Sequence, residues 1–264
     1  MVEVMAAPHS VTPTRVGFAT PPSYFDTTAT RIRAFVGQRI ETIQTIIHHP
    51  GFVYDAEHYI AGWPACEHAL RDLADAGVDL VVQVGSPFLY FHPLGYDGLL
   101  QRRNAVEQDL GKPLILSALA LVEALHHLKI GTVALAGMYY PFEWMAEMER
   151  FLLEAGVKVA ASETFVDQGL VGGTRGENER VGWTFGPELI AQSLLLTAAR
   201  SDTADAVVIG GVPGDLQPQI ADLESQIGRP ILGVDGATLW QIMRLIGLKK
   251  PTGEHGTLLG SLPG

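Results

Sequence analysis

Short apolar runs that alternate with helical stretches constrain the fold of this 264-residue chain most strongly. The runs at residues 79–84, 131–136 and 205–209 are rich in Val, Leu and Ala, and each is followed by a glycine. Strands without a polar face are buried on both sides, which is typical of parallel sheets covered by helices. The pattern therefore predicts an α/β fold.

The predicted elements alternate along the whole chain. Strands are predicted at residues 15–20, 79–84, 113–116, 131–136, 157–164, 205–209 and 230–234. Helices are predicted at residues 27–48, 64–76, 96–110, 119–128, 142–155, 187–200, 216–227 and 237–246. The first of these helices is predicted from a spacing that would align six apolar side chains on one face, namely Ile32, Phe35, Val36, Ile40, Ile43 and Ile47.

The two halves of the chain have a similar order of elements. Each begins near a strand and later contains an Asp-Leu/Ala-Val-Val strand that ends at a glycine. This weak internal duplication predicts two pseudo-symmetric lobes, each a mainly parallel sheet flanked by helices. Ligands bind beyond the carboxyl ends of such strands, so we expect an interlobe cleft formed by the turns at 21–24, 85–88, 137–140 and 210–215. The loop at 167–186, with six glycines, is either a lid or a surface excursion.

Composition excludes several classes of function. A formal charge of −11 argues against nucleic acid and against an anionic membrane surface, and no apolar run is long enough for a membrane span. The absence of a secretory signal in residues 1–10 and the single cysteine favour a cytoplasmic protein. Cys66 is expected to be a small buried core residue.

No metal or nucleotide site is predicted. The pairs His48-His49 and His126-His127 are adjacent in predicted helices, where neighbouring side chains diverge and cannot share a metal ion. The glycine-rich stretches at 169–176 and 210–214 lack the lysine and hydroxyl residue of a phosphate-binding loop.

Five stretches, in order, resemble the aspartate/glutamate racemase superfamily, in particular its branch of arylmalonate decarboxylase and maleate isomerase. They are residues 16–23 (VGFATPPS), 77–86 (GVDLVVQVGS), 129–139 (KIGTVALAGMY), 205–211 (DAVVIGG) and 236–247 (GATLWQIMRLIG). The resemblance implies a first lobe of residues 1–117 plus 231–264 and a second lobe of residues 118–230. It also implies a small carboxylate substrate, an enolate-like intermediate and no cofactor or metal. Pairing of subunits into a homo-oligomer is compatible with the resemblance.

Carried over residue by residue, the resemblance assigns the site. The first-lobe catalytic cysteine of the racemases matches Gly85, as it does in arylmalonate decarboxylase, and Ser86 falls on a hydroxyl of the oxyanion pocket. Tyr139 matches the active-site tyrosine, while the second-lobe cysteine matches Gly211 or Gly210 and the first-turn asparagine matches Tyr24. The expected substrate-binding residues are Pro22, Ser23, Tyr24, Gly85, Pro87, Tyr140, Gly210, Gly211 and Val212.

The missing thiols leave the proton carrier to be found elsewhere, because carbanion chemistry needs an acid or base of matched pKa. His92 and Asp215 are the predicted catalytic candidates beside Ser86 and Tyr139. Further candidates are Asp235, Tyr24 and Glu143, with helix capping as the alternative for both aspartates.

Three functions follow from this pattern. The favoured one is a cofactor-independent decarboxylase-type lyase. The alternatives are a hydrolase or hydratase with a His or Asp base, and a non-catalytic protein that binds small carboxylates.

Overall fold

The computed structural model describes residues 12–22, 26–173, 185–210 and 216–264. These residues form two four-stranded sheets, ordered β2-β1-β3-β4 and β6-β5-β7-β8. Every neighbouring pair of strands is parallel. The same order in both sheets confirms the predicted α/β fold with two pseudo-symmetric lobes.

The strands lie close to their predicted positions, with one addition. They are β1 Thr14–Thr20, β2 Ile40–Ile46, β3 Leu80–Gln83, β4 Leu114–Leu116, β5 Thr132–Met138, β6 Lys158–Thr164, β7 Ala206–Ile209 and β8 Ile231–Gly233. Strands β1, β3, β5 and β7 are almost entirely buried, because each is an inner strand covered by helices on both faces.

Helices cover both sheets. They are α1 Thr28–Val36, α2 Ala56–Ala61, α3 Trp63–Asp75, α4 Pro87–Tyr90, α5 Gly95–Leu110, α6 Ser117–His127, α7 Phe142–Glu154, α8 Pro187–Ala199, α9 Ile220–Ile227, α10 Val234–Leu245 and α11 Gly256–Gly260. Of these, α2, α4 and α11 are short and were not predicted. None of the helices in the described part of the chain has the length and apolar character needed to cross a membrane.

The predicted helix over residues 27–48 is wrong in its second half. Helix α1 ends at Val36, because Gly37 takes a positive φ of 71° that a helix cannot continue. The following residues form the edge strand β2, which pairs with β1. Its sequence IETIQTI is rich in Ile and Thr, whose branched β-carbons favour a strand over a helix.

The lobe boundary falls slightly later than expected. Strand β8 pairs with β7 in the second sheet, so the second lobe continues to Gly233 instead of ending at 230. Helix α10 then crosses to pack against α6, and Gln241 of α10 donates a hydrogen bond to Glu123 of α6 at 2.6 Å. These two helices tie the lobes together and hold the strand ends of both sheets in place.

Candidate active site

A cavity lies where the carboxyl ends of the inner strands of both sheets meet. Its lining comes from both lobes and comprises Pro21, Asp26, Tyr54, Tyr59, Gly85, Ser86, Pro87, Phe88, Tyr139, Tyr140 and Trp144. We call it the interlobe cavity. It occupies the position that the rule for parallel sheets predicts for a ligand.

The first-lobe wall depends on a glycine. Gly85 follows β3 with a φ of 91°, and a β-carbon there would collide with the ring of Pro21. Only glycine satisfies both conditions without strain. The tight turn places Ser86 at the start of α4, where its residue is 5% exposed and its hydroxyl makes no capping bond. The hydroxyl is therefore free to face the second lobe.

The second-lobe wall depends on a strained residue. Met138, the last residue of β5, has a left-handed φ of 56° although it carries a side chain. Such conformations cost free energy and persist where the surrounding structure enforces them, often at functional sites. The bend directs Tyr139 and Tyr140 toward the first lobe, and their ring centroids lie 5.5 Å apart.

The two walls meet through hydroxyl groups. Ser86 Oγ lies 3.4 Å from Tyr140 Oη, and Tyr139 lines the same cavity. The hydroxyl in contact with Ser86 therefore belongs to Tyr140, which the sequence predicted only as a binding residue. Burial raises the pKa of Tyr140 well above its usual value, and the neighbouring tyrosines Tyr90 and Tyr139 add to the effect. Tyr140 thus keeps its proton and can donate a hydrogen bond.

Aromatic rings form much of the remaining wall. Tyr59 of α2 packs edge-on against Phe88 and Trp144, with centroid distances of 4.9 and 5.6 Å. Trp144 belongs to α7 of the second lobe and also contacts Tyr140 at 5.2 Å. Tyr54 donates a hydrogen bond to the Pro22 carbonyl at 2.7 Å. The cavity is consequently apolar except for its hydroxyls and one carboxylate.

That carboxylate is Asp26, which the sequence reading did not select. It is 1% exposed and lies in the turn between β1 and α1. Its Oδ1 accepts a hydrogen bond from the Thr28 amide, two residues on, at 2.7 Å, as in an Asx turn. Its position in the sequence could have identified it, because Asp26 lies between the turn predicted at 21–24 and the helix predicted at 27–48.

A second carboxylate, Asp235, lies near Asp26 across the lobe boundary. Its Oδ2 is 2.9 Å from Arg31 Nη2, and its Oδ1 accepts a 3.4 Å hydrogen bond from the Thr28 hydroxyl. Burial raises the pKa of Asp235 to about 6; Arg31 opposes this, and the negative charge of Asp26 adds to it. Asp235 and Arg31 also border a second, mostly apolar cavity of about 280 Å³ under α1.

His92 is not brought to the interlobe cavity. It follows α4, is 6% exposed, and packs its ring edge-on against Trp63 of α3 at 5.1 Å. Burial and the charge of Arg102 lower its pKa, while Glu67 opposes them. The sequence placed His92 in the cleft because it lies six residues after Ser86, but the single turn of α4 carries the chain away.

The other candidates have mixed outcomes. Pro87 and Gly85 line the interlobe cavity, whereas Pro22 and Gly210, which follow β1 and β7, are not among its lining residues. Glu143 is exposed on α7, and Cys66 is fully buried inside α3, where burial raises the pKa of its thiol. Five predicted residues lie outside the described residues, namely Ser23, Tyr24, Gly211, Val212 and Asp215. Within the described residues, no group of three metal-ligating side chains could hold a metal ion.

The family follows from comparison with known proteins. The family model for arylmalonate decarboxylase matches residues 55–259, which is most of the chain, so the chain belongs to the arylmalonate decarboxylase family. No curated protein sequence gives a significant match.

Solved structures share the fold over nearly the whole chain. The maleate isomerase Iso from Pseudomonas putida is 22% identical, with a TM-score of 0.72 over 94% of this chain and 98% of that chain. The maleate cis-trans isomerase from Nocardia farcinica is 21% identical, with a TM-score of 0.74 over 93% and 97%. Unliganded arylmalonate decarboxylase is 18% identical, with a TM-score of 0.72 over 94% and 99%. Family and fold together indicate an enzyme of the decarboxylase or isomerase type.

Proposed function

We propose that this protein is a cofactor-independent decarboxylase that acts on a small dicarboxylic acid in the interlobe cavity. One carboxylate would leave as CO2, and its bonding electrons would pass into the remaining carboxylate as an enediolate. The observation that carries the proposal is the convergence of Ser86 and Tyr140 from opposite lobes, 3.4 Å apart in a buried cavity.

Hydroxyl donors supply what this intermediate needs. The enediolate places more negative charge on oxygen than the starting carboxylate does, so fixed donors stabilise it more than the substrate. Tyr140 stays protonated because burial raises its pKa, and Ser86 makes no competing capping bond. Tyr139, on the same wall, is the third donor in the proposed site.

The aromatic wall gives the leaving carboxylate a poor environment. Tyr59, Phe88 and Trp144 offer ring faces and edges in place of water. A charged carboxylate against these rings is less well solvated than in water, whereas departing CO2 is neutral. An apolar wall opposite a hydroxyl wall therefore favours loss of CO2 from one end of the substrate.

The cysteine content favours decarboxylation over isomerisation. A Cys-to-Ser variant of the Nocardia farcinica maleate isomerase contains a covalently bound succinylcysteine intermediate, so that enzyme bonds its substrate through a cysteine. The only cysteine in this sequence is Cys66, which is fully buried in α3 and does not line the cavity. A covalent thiol route has no residue to use here.

The test is CO2 release from a panel of substituted malonates, with product identified by NMR. We expect wild-type turnover, and we expect Ser86→Ala and Tyr140→Phe each to lower kcat by about 10²–10³-fold, as removal of an oxyanion donor does. Ser117→Ala is the matched control for Ser86, because Ser117 is also a buried serine that follows a strand but lies outside the cavity.

Other outcomes assign other functions. Conversion of maleate to fumarate without CO2 release would identify an isomerase and contradict the proposal. Incorporation of solvent ¹⁸O into the product would identify a hydrolase or hydratase. Stabilisation by dicarboxylates in a thermal shift, with no turnover of any kind, would identify a binding protein.

A further inference from the structure

The proposed reaction needs a proton donor that the chain does not supply as a thiol. Once CO2 has left, the enediolate carbon must receive a proton from an acid held beside it. The tyrosines are poor donors for this step, since burial raises the pKa of Tyr140 and of Tyr90. His92 packs against Trp63 outside the cavity.

One carboxyl group reaches the cavity. Asp26 is the only acidic residue among the described residues that line it. Its Oδ1 is engaged by the Thr28 amide at 2.7 Å, and no described residue donates a hydrogen bond to its Oδ2. The Thr28 amide thus fixes one oxygen of a buried carboxyl group that lines the same cavity as Ser86 and Tyr140.

We propose that Asp26 is the catalytic proton donor of this enzyme, in place of the cysteine that the chain lacks; this inference rests on the proposed function. The C–C bond to the leaving carboxylate breaks, CO2 departs, and the electron pair enters the enediolate. Asp26 then gives its proton to the α-carbon and forms the new C–H bond.

The step balances without any further reactant. Asp26 becomes a carboxylate, and solvent returns its proton before the next turnover. Each cycle therefore consumes one proton and converts a dicarboxylate into a monocarboxylate and CO2. The same group, as a carboxylate, would remove an α-proton in the reverse direction.

The neighbours of Asp26 are arranged to hold it. Thr28 binds Asp26 through its amide and Asp235 through its hydroxyl, so both carboxylates are fixed by one residue at the start of α1. Arg31, one turn later, pairs with Asp235 at 2.9 Å. Asp235 comes from the second lobe's last strand turn, which makes it a positioning residue that ties α1 to the opposite lobe.

The rival interpretation is that Asp26 only stabilises the start of α1. Asp55 provides the control, because its side chain also accepts a backbone amide at the start of a helix, that of His58 at 2.9 Å, yet it does not line the cavity. Asp55 is the N-cap of α2, whereas Asp26 lies one residue before the N-cap of α1. Asparagine caps a helix about as well as aspartate. Asp26→Asn and Asp55→Asn therefore both keep the side-chain oxygen that accepts the backbone amide, and they differ in whether a cavity carboxyl group is lost.

The experiment measures product formation from a malonate with two different α-substituents, one of them phenyl, to match the aromatic wall. We expect Asp26→Asn to lower kcat at least 100-fold and to give racemic residual product, since water protonates both faces of the enediolate. Asp55→Asn should retain the wild-type rate and optical purity. Asp26→Ser, which also caps, repeats the test if the asparagine variant fails to fold.

Four outcomes decide the matter. Product formation by Asp26→Asn within threefold of wild type, or residual product of wild-type optical purity, overturns the role of Asp26 and leaves the decarboxylase intact. Wild-type protein that releases no CO2 but exchanges the α-hydrogen of phenylacetate in D2O, with exchange lost in Asp26→Asn, retains Asp26 and overturns the decarboxylase. Absence of both reactions in the wild type overturns both proposals. The expected rates and racemic product support both.

Discussion

Glu67 and the pair Asp26/Asp235 are buried carboxylates in two regions with different surroundings. Glu67 of α3 receives a bidentate interaction from Arg102 and a 2.9 Å hydrogen bond from Trp63, with Arg71 nearby. Burial alone would raise its pKa, but Arg102, Trp63 and Arg71 outweigh burial and hold the pKa below its usual value. For Asp235, the rise in pKa caused by burial is larger than the decrease caused by Arg31.

The contrast distinguishes a carboxylate that stabilises the fold from one that can exchange protons. A carboxylate whose oxygens are all occupied by cations and donors stays ionised and stabilises the fold, whereas Asp235, for which the effect of burial exceeds that of its partners, exchanges its proton nearer to neutral pH. We call Glu67 with Arg102, Trp63 and Arg71 the saturated region, because both oxygens of Glu67 have partners. We call Asp26 and Asp235, at the start of α1, the unsaturated region. Sequence spacing alone pointed to His92, which packs beside the saturated region.

Removal of Glu67 is the strongest test of the saturated region. We expect Glu67→Ala to destabilise the protein by about 1–3 kcal/mol, because the substitution removes a buried carboxylate that accepts hydrogen bonds from Trp63 and from Arg102, whose side chain is 44% exposed. Denaturant unfolding measures this effect. Glu147→Ala, which removes a half-exposed partner of Arg150, is the control and should cost less than about 1 kcal/mol. Equal costs would show that the Glu67 cluster is not specially stabilising.

The pH dependence of stability tests the unsaturated region. The pKa of Asp235 is raised in the folded state from 3.8 to about 6, so its contribution is present below pH 4 and is lost as the pH rises through 6. We expect the free energy of unfolding of wild type to fall by about 3 kcal/mol relative to Asp235→Asn between pH 4 and 7.

For Asp55, the pH dependence of stability should have the opposite sign. A backbone hydrogen bond from His58 lowers the pKa of Asp55, so its stabilising contribution is present above the unfolded pKa of 3.8 and is lost as the pH falls. Comparison of Asp55→Asn with wild type should therefore show a slope opposite to that of Asp235→Asn. Parallel slopes would contradict the assignment of Asp235.

The glycine at the first-lobe turn can be tested against a matched glycine. Gly77 has a φ of 81° with open space around it, whereas a β-carbon on Gly85 meets Pro21. Gly77→Ala should cost about 1–2 kcal/mol from backbone strain alone. Gly85→Ala should cost more and should also abolish turnover, since Pro21 must move into the interlobe cavity. Thermal unfolding and kcat are the measurements, and equal behaviour of the two variants would contradict the close packing.

Substitution of His92 should have the smallest effect on chemistry. His92→Gln removes a ring that packs on Trp63, so we expect a stability loss of about 1 kcal/mol and an unchanged kcat. A large fall in kcat with normal folding would show that His92 takes part in the reaction. It would contradict the conclusion that His92 has only a structural role.

Much of the fold could be predicted from the sequence because its signals are local. Buried strands such as β3 and β7 are continuous apolar runs that end at glycines, and these turns supplied Gly85 and Ser86. Strand β2 is not predicted from the sequence because Ile40, Ile43 and Ile47 also fit helical spacing, and Gly37 is the one residue between them and α1 that signals a break. Tyr139 and Tyr140 were both selected, but their roles depend on which hydroxyl meets Ser86 across the cleft.

The sequence by itself determined the alternation of strands and helices, the internal duplication and the presence of a single cysteine, since each can be read from composition and periodicity. Only the tertiary structure decided which carboxyl groups come together. Asp26 and Asp235 are 209 positions apart in the chain, and α10 must cross between lobes to bring them to Thr28. Such a meeting depends on long-range packing, which leaves no pattern in the residues around either aspartate.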